Sequence, residues 1–498
     1  ARAAVGTLAS RPRWRLAGGV AAFAIILPSL VAFRGGVSVI ETRNVSLRPE
    51  PNAGNWRTWL LASGKAVFVR PPPGPNSDQA KADLETMQLE SIQRSPDVRQ
   101  AITKYSGSLP TQPWSDTLFD FVSKASKNPV LASRNAGLLH AAMYDAVISS
   151  WYWKYRYNAS SPEVKPVVER APDPSYPSEH AAVAGAASRL LAYLYPNQSA
   201  LRLDELADQA GWSRVQAGVS SPSDVAAGLE LGRKVADAAI ARAKIDGAEK
   251  EWDFNRPPGI GHGPEFWEPP PGTSSTPASP LAGSWKPWVM TSGDQFRPPP
   301  PARFGSPEFR AAAEEMVYVS QHLTPEQEQI ARFYEGGEGT KLPAGIVVDV
   351  GSKDVVKAAT ANVTARRLTI PATTRATTLL NIALADAGVS TWDAKFTYWD
   401  PRPENAINDL GIAPGWKPML PTSRFPAYPS GSAGYAGAGE AVLSYLFPDQ
   451  ADQFKERAED QAASRLYAGI HWKADAISLG MGRNIGALVV EWAKHDGS

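Results

Sequence analysis

The stretch Pro177–Gln198 reads PSEHAAVAGAASRLLAYLYPNQ, and Pro429–Gln450 reads PSGSAGYAGAGEAVLSYLFPDQ; eleven of the twenty-two positions are identical. Three more blocks repeat in the same order. Arg134, Asp145, Trp151 and Lys154 match Arg375, Asp386, Trp392 and Lys395. SRVQAGVSSPSD from Ser213 matches SRLYAGIHWKAD from Ser464, and GRKVADAAIARAKIDG from Gly232 matches GRNIGALVVEWAKHDG from Gly482. Chance likeness between helices does not keep four blocks in register, so the pattern points to an internal duplication. Helical stripes recur in both copies, with Leu138, Leu139, Ala142, Met143 and Ala146 in one and Leu379, Leu380, Ala383, Leu384 and Ala387 in the other. Strand-like alternation is scarce and clearest from Ile346 to Val350. The expected fold class is all-α: two related helical bundles joined by a Pro/Gly-rich connection.

The boundaries follow from composition. Residues 1–40 form a leader, 41–255 a first bundle carrying the degenerate repeat, 256–323 the connection and 324–498 a second bundle carrying the site. Between Arg256 and Pro301 the chain is rich in Pro, Gly, Ser and Trp, with Pro298 to Pro301 consecutive, and proline removes backbone donors. In the leader, Arg11, Arg13 and Arg15 precede the uncharged run Leu16–Phe33, which ends at Arg34. Basic then apolar is the order of an export signal or a single membrane anchor, so an exported, extracytoplasmic or membrane-anchored protein is expected.

A net charge of +1 over 498 residues gives no electrostatic basis for a nucleic-acid partner. The absence of cysteine excludes disulfides, iron–sulfur clusters, thiolate zinc sites and a cysteine nucleophile. Six histidines remain for metal or acid–base work: His140, His180, His262, His322, His471 and His495.

The second copy concentrates groups that bind oxyanions. Lys395, Arg402 and Pro403 stand in KFTYWDPRP, Ser430 and Gly431 in YPSGSAG, and Arg465, His471 and Asp475 in SRLYAGIHWKAD. Two guanidinium groups grip an oxyanion through several N–H donors each, and an ammonium adds a point charge. A Ser-Gly turn opening a helix adds a hydroxyl and main-chain N–H groups at the positive helix end. His471 can ligate a metal or attack phosphorus, and four-residue spacing puts Asp475 on its face of a helix. A lone arginine is ordinarily a solvated surface group and a lone PSG an ordinary helix entry. The residues argue for a site as an ordered set.

That set, Lys395 six residues before Arg402-Pro403, then Pro429-Ser430-Gly431, then Ser464-Arg465 with His471 and Asp475, resembles the signature of vanadium-dependent haloperoxidases and type 2 phosphatidic acid phosphatases. The two-bundle repeat resembles the haloperoxidase fold as well. The resemblance implies vanadate as cofactor, bound by Lys395, Arg402, Ser430, Gly431 and Arg465, with His471 as the single covalent ligand to the metal. It also implies Trp392 and Phe425 as the halide pocket and Glu335, in FYEGG, as an acidic partner of the last arginine. The family's PSGH histidine is Ser432 here. That histidine is the leaving-group acid in the phosphatases, so its loss should harm phosphate-ester cleavage more than peroxidase chemistry; serine at this position is similar to a bacterial haloperoxidase subgroup.

The implied activity is halide oxidation by hydrogen peroxide, with a small organic acceptor as a further partner and with His471, Lys395, Ser432 and Arg465 as the catalytic set. An acid phosphatase using His471 as nucleophile and a catalytically silent oxyanion-binding protein are the alternatives. The first copy is not expected to be a second site, because Ser220 replaces the histidine and Glu179 the glycine. A carboxylate there repels an oxyanion.

Overall fold

The computed structural model describes residues 50–498 except 107–108, 125–127, 160–163, 199, 270–275 and 337–367. The leader and the strand-like run 346–350 lie outside the described residues. Every regular element described is helical. In chain order these are α1 (Asp78–Ile92), α2 (Pro96–Tyr105), α3 (Gln112–Lys124), α4 (Pro129–Tyr157), α5 (Glu179–Leu194), α6 (Ala200–Gln216), α7 (Pro222–Ile245), α8 (Pro307–Gln321), α9 (Pro325–Gly336), α10 (Ile370–Tyr398), α11 (Pro403–Asp409), α12 (Gly431–Leu446), α13 (Ala451–Tyr467) and α14 (Ser478–Ala493).

Local chemistry sets the ends of these helices. Both long helices carry a proline at their start, Pro129 at the first position behind an Asn128 cap and Pro371 at the second behind a Thr369 cap, and both end at a left-handed residue, Asn158 (φ 49°) and Trp399 (φ 52°). Each is 29 residues long and almost wholly buried along its middle. They run antiparallel against each other: Thr378 Oγ1 donates to His140 O at 3.0 Å, while Ser133 lies beside Gly388. A Cβ on Gly388 would sit 2.8 Å from Ser133 Oγ and from Tyr435 Oη, so a larger residue at that crossing would have to displace both hydroxyls.

The two halves repeat their buried polar contacts. Asp145 accepts from the N–H groups of Trp59, Leu60 and Leu61 at 2.8–2.9 Å, and Asp386 accepts from Trp288, Val289 and Met290 at 2.7–3.2 Å. Arg134 pairs with Asp246 at 2.7 Å, and Arg375 with Asp496 at 2.6 Å. The chain leading into each long helix therefore recurs too, with NWRTWLLASG from Asn55 answering SWKPWVMTSG from Ser284.

This differs from reading 256–323 as a connection throughout. Ala282–Ser284 and Gly293–Phe296 are 3-10 turns, and α8 follows a Ser306 cap with Pro307 at its first position. Two of the four prolines that suggest an irregular link are held by tyrosines: Tyr398 Oη donates to Pro298 O and Tyr428 Oη to Pro299 O, at 2.7 and 2.6 Å. No helix among the described residues is long and apolar enough to cross a membrane.

Candidate active site

The C-terminal turns of α10 carry Trp392 and Lys395, three residues apart on one face. After left-handed Trp399 the chain turns through WDPRP, and Arg402 becomes the N-cap residue of α11. Ser430 caps α12, its Oγ accepting from Ala433 N at 3.4 Å, so the N–H groups of Gly431 and Ser432 stand at that helix's positive end. The last turn of α13 carries Arg465, Gly469 (φ 77°) reverses the chain, and His471 follows. Ser430 N donates to Asp475 O at 3.0 Å, and Ser478 Oγ donates to Ser430 O at 2.6 Å, tying the His471 segment to the α12 entry.

These residues converge in the interior. Lys395 and Arg402 are 0% exposed, Arg465 1%, Ser430 1%, His471 4% and Asp475 0%, which removes water from three cations and a histidine at once. Lys395 Nζ donates to Pro426 O and Ala427 O, both at 2.8 Å. Arg402 Nε donates to Phe425 O at 2.9 Å, and its Nη1 to Ile470 O at 2.7 Å and to His471 Nε2 at 3.0 Å. Because a guanidinium only donates, His471 Nε2 is the acceptor. The imidazole proton is thus on Nδ1, where it is donated to Asp475 Oδ2 at 2.7 Å. Asp475 Oδ2 also accepts from Trp472 N at 3.2 Å.

Burial holds His471 well below the ordinary imidazole range, and Arg402, Lys395 and Arg465 push the same way. Burial and then Arg402 hold Lys395 well below its ordinary value. Burial lowers Arg402 to about 10, against the pull of Asp475 and Asp400. Burial also raises Asp475, and Asp400, the carboxyl in WDPRP, is raised well above the usual range by burial and by Asp475. The site thus keeps a neutral imidazole and crowded cations that lack enough negative charge.

The aromatic pair expected to form the halide pocket sits on this cluster. The Trp392 and Phe425 ring centroids are 4.9 Å apart, with Lys395 Nζ 5.1 Å and Arg402 Cζ 5.0 Å from the Phe425 ring. Trp392 Nε1 donates to Ala278 O at 2.8 Å, which ties the Trp392 ring to the segment around Ala278, a contact nothing in the sequence signals. Ser432 is 6% exposed on the first turn of α12, and Gln461 Nε2 donates to its carbonyl at 3.0 Å. Sequence reasoning also missed Asp400, whose signal is its place beside Arg402. Glu335 falls on α9, and its side chain lies outside the described residues.

The donor set fits a tetrahedral oxyanion. It combines an ammonium, two guanidinium groups, a capping serine, helix N–H groups and a neutral imidazole. Arg402 Nη2 is buried without a hydrogen-bond partner among the described residues, so one donor is spare. Lys395 and Arg402 otherwise rest on main-chain carbonyls, Arg465 Nε donates to Ser464 Oγ, and Arg402 Nη1 covers the Nε2 lone pair. A surface cleft of about 570 Å³ between Trp59, Trp288 and Trp492 includes none of these residues. Among the described residues no group of three or more His, Cys, Asp or Glu side chains could hold a metal ion.

Residues 375–453 match the family model of the VCPO second helical-bundle domain. A bacterial vanadium-dependent iodoperoxidase structure superposes with a TM-score of 0.62 at 23% identity, covering 77% of this chain and 95% of that one. Holo and apo structures of a bacterial vanadium-dependent chloroperoxidase give TM-scores of 0.53 and 0.54 at 15% and 16% identity, each covering 74% of this chain and 93% of theirs. No curated protein matches significantly by sequence. The chain thus shares the fold of these solved structures, and its residues 375–453 are similar to the VCPO second helical-bundle domain.

Proposed function

We propose that this protein is a vanadium-dependent haloperoxidase, exported through its N-terminal leader, that oxidises a halide with hydrogen peroxide and a proton from solvent to hypohalous acid and water. The observation that carries the reading is the neutral, buried His471, its Nε2 turned toward Arg402 and its Nδ1–H fixed on Asp475. In this reading Lys395, Arg402, Ser430, Gly431 and Arg465 hold vanadate and His471 Nε2 ligates it. Bound vanadate supplies Lewis-acid polarisation of peroxide without a redox change at the metal.

The chain's own residues do the rest. Asp475 fixes the imidazole tautomer and ring orientation, as partners of metal-bound histidines do. Lys395, Arg402 and Arg465 stabilise the negative charge in a water-poor interior, where fixed donors act strongly. Trp392 and Phe425 shape an apolar wall on which a large, weakly hydrated halide is less penalised than a small, strongly hydrated one. Ser432 offers a hydroxyl that can hydrogen-bond an oxyanion oxygen and is a poor acid or base near neutral pH.

The test is oxidation of iodide, bromide and chloride by purified protein with peroxide, with and without orthovanadate, beside hydrolysis of a phosphate monoester. Vanadate-dependent halide oxidation, lost in His471→Ala, is the expected result. Strong phosphatase turnover with no halide oxidation in vanadate would transfer the assignment to a phosphatase with His471 as nucleophile. Neither activity, with no oxyanion binding by calorimetry, would overturn both.

A further inference from the structure

The first repeat preserves the frame of the site in detail. Lys154 Nζ donates to Pro174 O and Ser175 O, the counterparts of the carbonyls that hold Lys395. Ser178 caps α5 and its N–H donates to Asp224 O at 3.0 Å, as Ser430 does to Asp475 O. Arg214 occupies the place of Arg465, followed by left-handed Gly218 (φ 79°) in the place of Gly469. What differs is the helix entry, where Glu179 stands in place of Gly431 and His180 in place of Ser432.

Glu179 points its carboxylate into that frame. Its Oε2 is 2.9 Å from Lys154 Nζ, and its Oε1 is 2.7 Å from His180 Nδ1. The Lys154 side chain is 3% exposed, Glu179 12% and His180 7%. Arg214, 8% exposed, acts electrostatically on both Glu179 and His180. His180 Nε2 is buried with no hydrogen-bond partner among the described residues. A buried ammonium without a counter-ion is costly, and Glu179 supplies Lys154 with one. Burial alone would raise the Glu179 carboxyl, yet Lys154 and His180 outweigh it and hold it well below the ordinary range.

We infer that the first repeat retains an oxyanion cradle whose anion is built into the chain, the Glu179 carboxylate taking the place of a tetrahedral dianion of the phosphate, sulfate or vanadate class. Replacing Glu179 by the glycine of the other copy should open a second oxyanion site made of Lys154, Arg214, Ser178 and the α5 N-terminus. Conversely, glutamate at Gly431 should close the first one. The backbone there accepts a side chain, since a Cβ on Gly431 meets nothing nearer than Trp392 Cζ3 at 3.6 Å.

The inference rests on reading the Lys395–His471 cluster as an oxyanion site, and the variants separate the two claims. Calorimetric titration with orthovanadate, and separately with inorganic phosphate, should give one equivalent per chain for the unmodified protein. Glu179→Gly should give two, Gly431→Glu none, and the double variant one. Glu179→Ala, a better helix former, should match Glu179→Gly. If the unmodified protein binds nothing while Glu179→Gly binds one equivalent, the Lys395–His471 reading fails and this inference stands. If Glu179→Gly and Glu179→Ala gain neither an equivalent nor any extra thermal stabilisation by phosphate, the inference is wrong.

Discussion

Replacing Arg402 by methionine removes a charge and three nitrogen donors while keeping most of the stem that packs against Phe425. Without an oxyanion the effect on stability is a near balance. Phe425 O, Ile470 O and His471 Nε2 lose a donor, at about 1 kcal/mol or more each. Against that, a fully buried cation disappears, one whose pKa burial has already lowered to about 10. With an oxyanion the balance breaks. Two charge-assisted hydrogen bonds at about 1.5 kcal/mol each amount to about 3 kcal/mol, or about 10²-fold in Kd. Orthovanadate at 100 times the wild-type Kd should stabilise the unmodified protein by about 2.7 kcal/mol and Arg402→Met by only about 0.4 kcal/mol. Calorimetry gives the Kd ratio and thermal unfolding, with and without orthovanadate, gives the linkage. An Arg402→Met Kd within threefold of wild type, with an undiminished melting shift, would show that the guanidinium does not face the anion.

Three further outcomes follow from the same geometry. Ser432→His should raise phosphate-monoester hydrolysis by about 10²-fold, the usual worth of a positioned general acid, with oxyanion affinity changed little; an unaltered rate counts against this position facing the leaving group. Lys395 binds its proton less readily in the folded chain than in the unfolded one, so without anion stability should rise with pH across the interval between the two pKa values. Anion binding restores the ammonium, so sulfate, which has no titratable proton near neutral pH, should bind with proton uptake and weaken as pH rises; buffer-independent binding enthalpies would refute this. Gly437→Ala would put a Cβ 2.1 Å from Leu479 O and should cost about 1–3 kcal/mol by wedging α12 from α14, measurable as a lowered denaturation midpoint.

Helical class and the second-copy cluster were legible because side-chain identity carries them. Apolar residues at three- and four-residue spacing force amphipathic helices, and Lys395, Arg402, Arg465 and His471 have few reasons to stand in that order except to meet. The upstream part of the repeat was hidden because it is held by main-chain groups. Trp288, Val289 and Met290 meet Asp386 through their N–H groups, which any residue but proline supplies, so the side chains at these positions do not announce the contact. Proline content pointed to an irregular link at 256–323, yet prolines 298 and 299 accept hydrogen bonds from Tyr398 and Tyr428 and so are tied to the segments that carry Lys395 and Ser430.

The carboxylate in the first copy shows where residue-by-residue logic needed geometry. Read alone, Glu179 is a group that repels an oxyanion. In the structure it sits between Lys154 and His180, where an oxyanion would otherwise be drawn. The asymmetry between the copies then reduces to a few changes in one shared frame. The second copy has glycine at the helix entry, histidine where the first has Ser220, and a longer stretch between its lysine and its PS turn, in which Arg402 lies. Arg402 is also the residue that reaches His471 Nε2. One half therefore neutralises its buried lysine from within, and the other leaves its cations short of an anion.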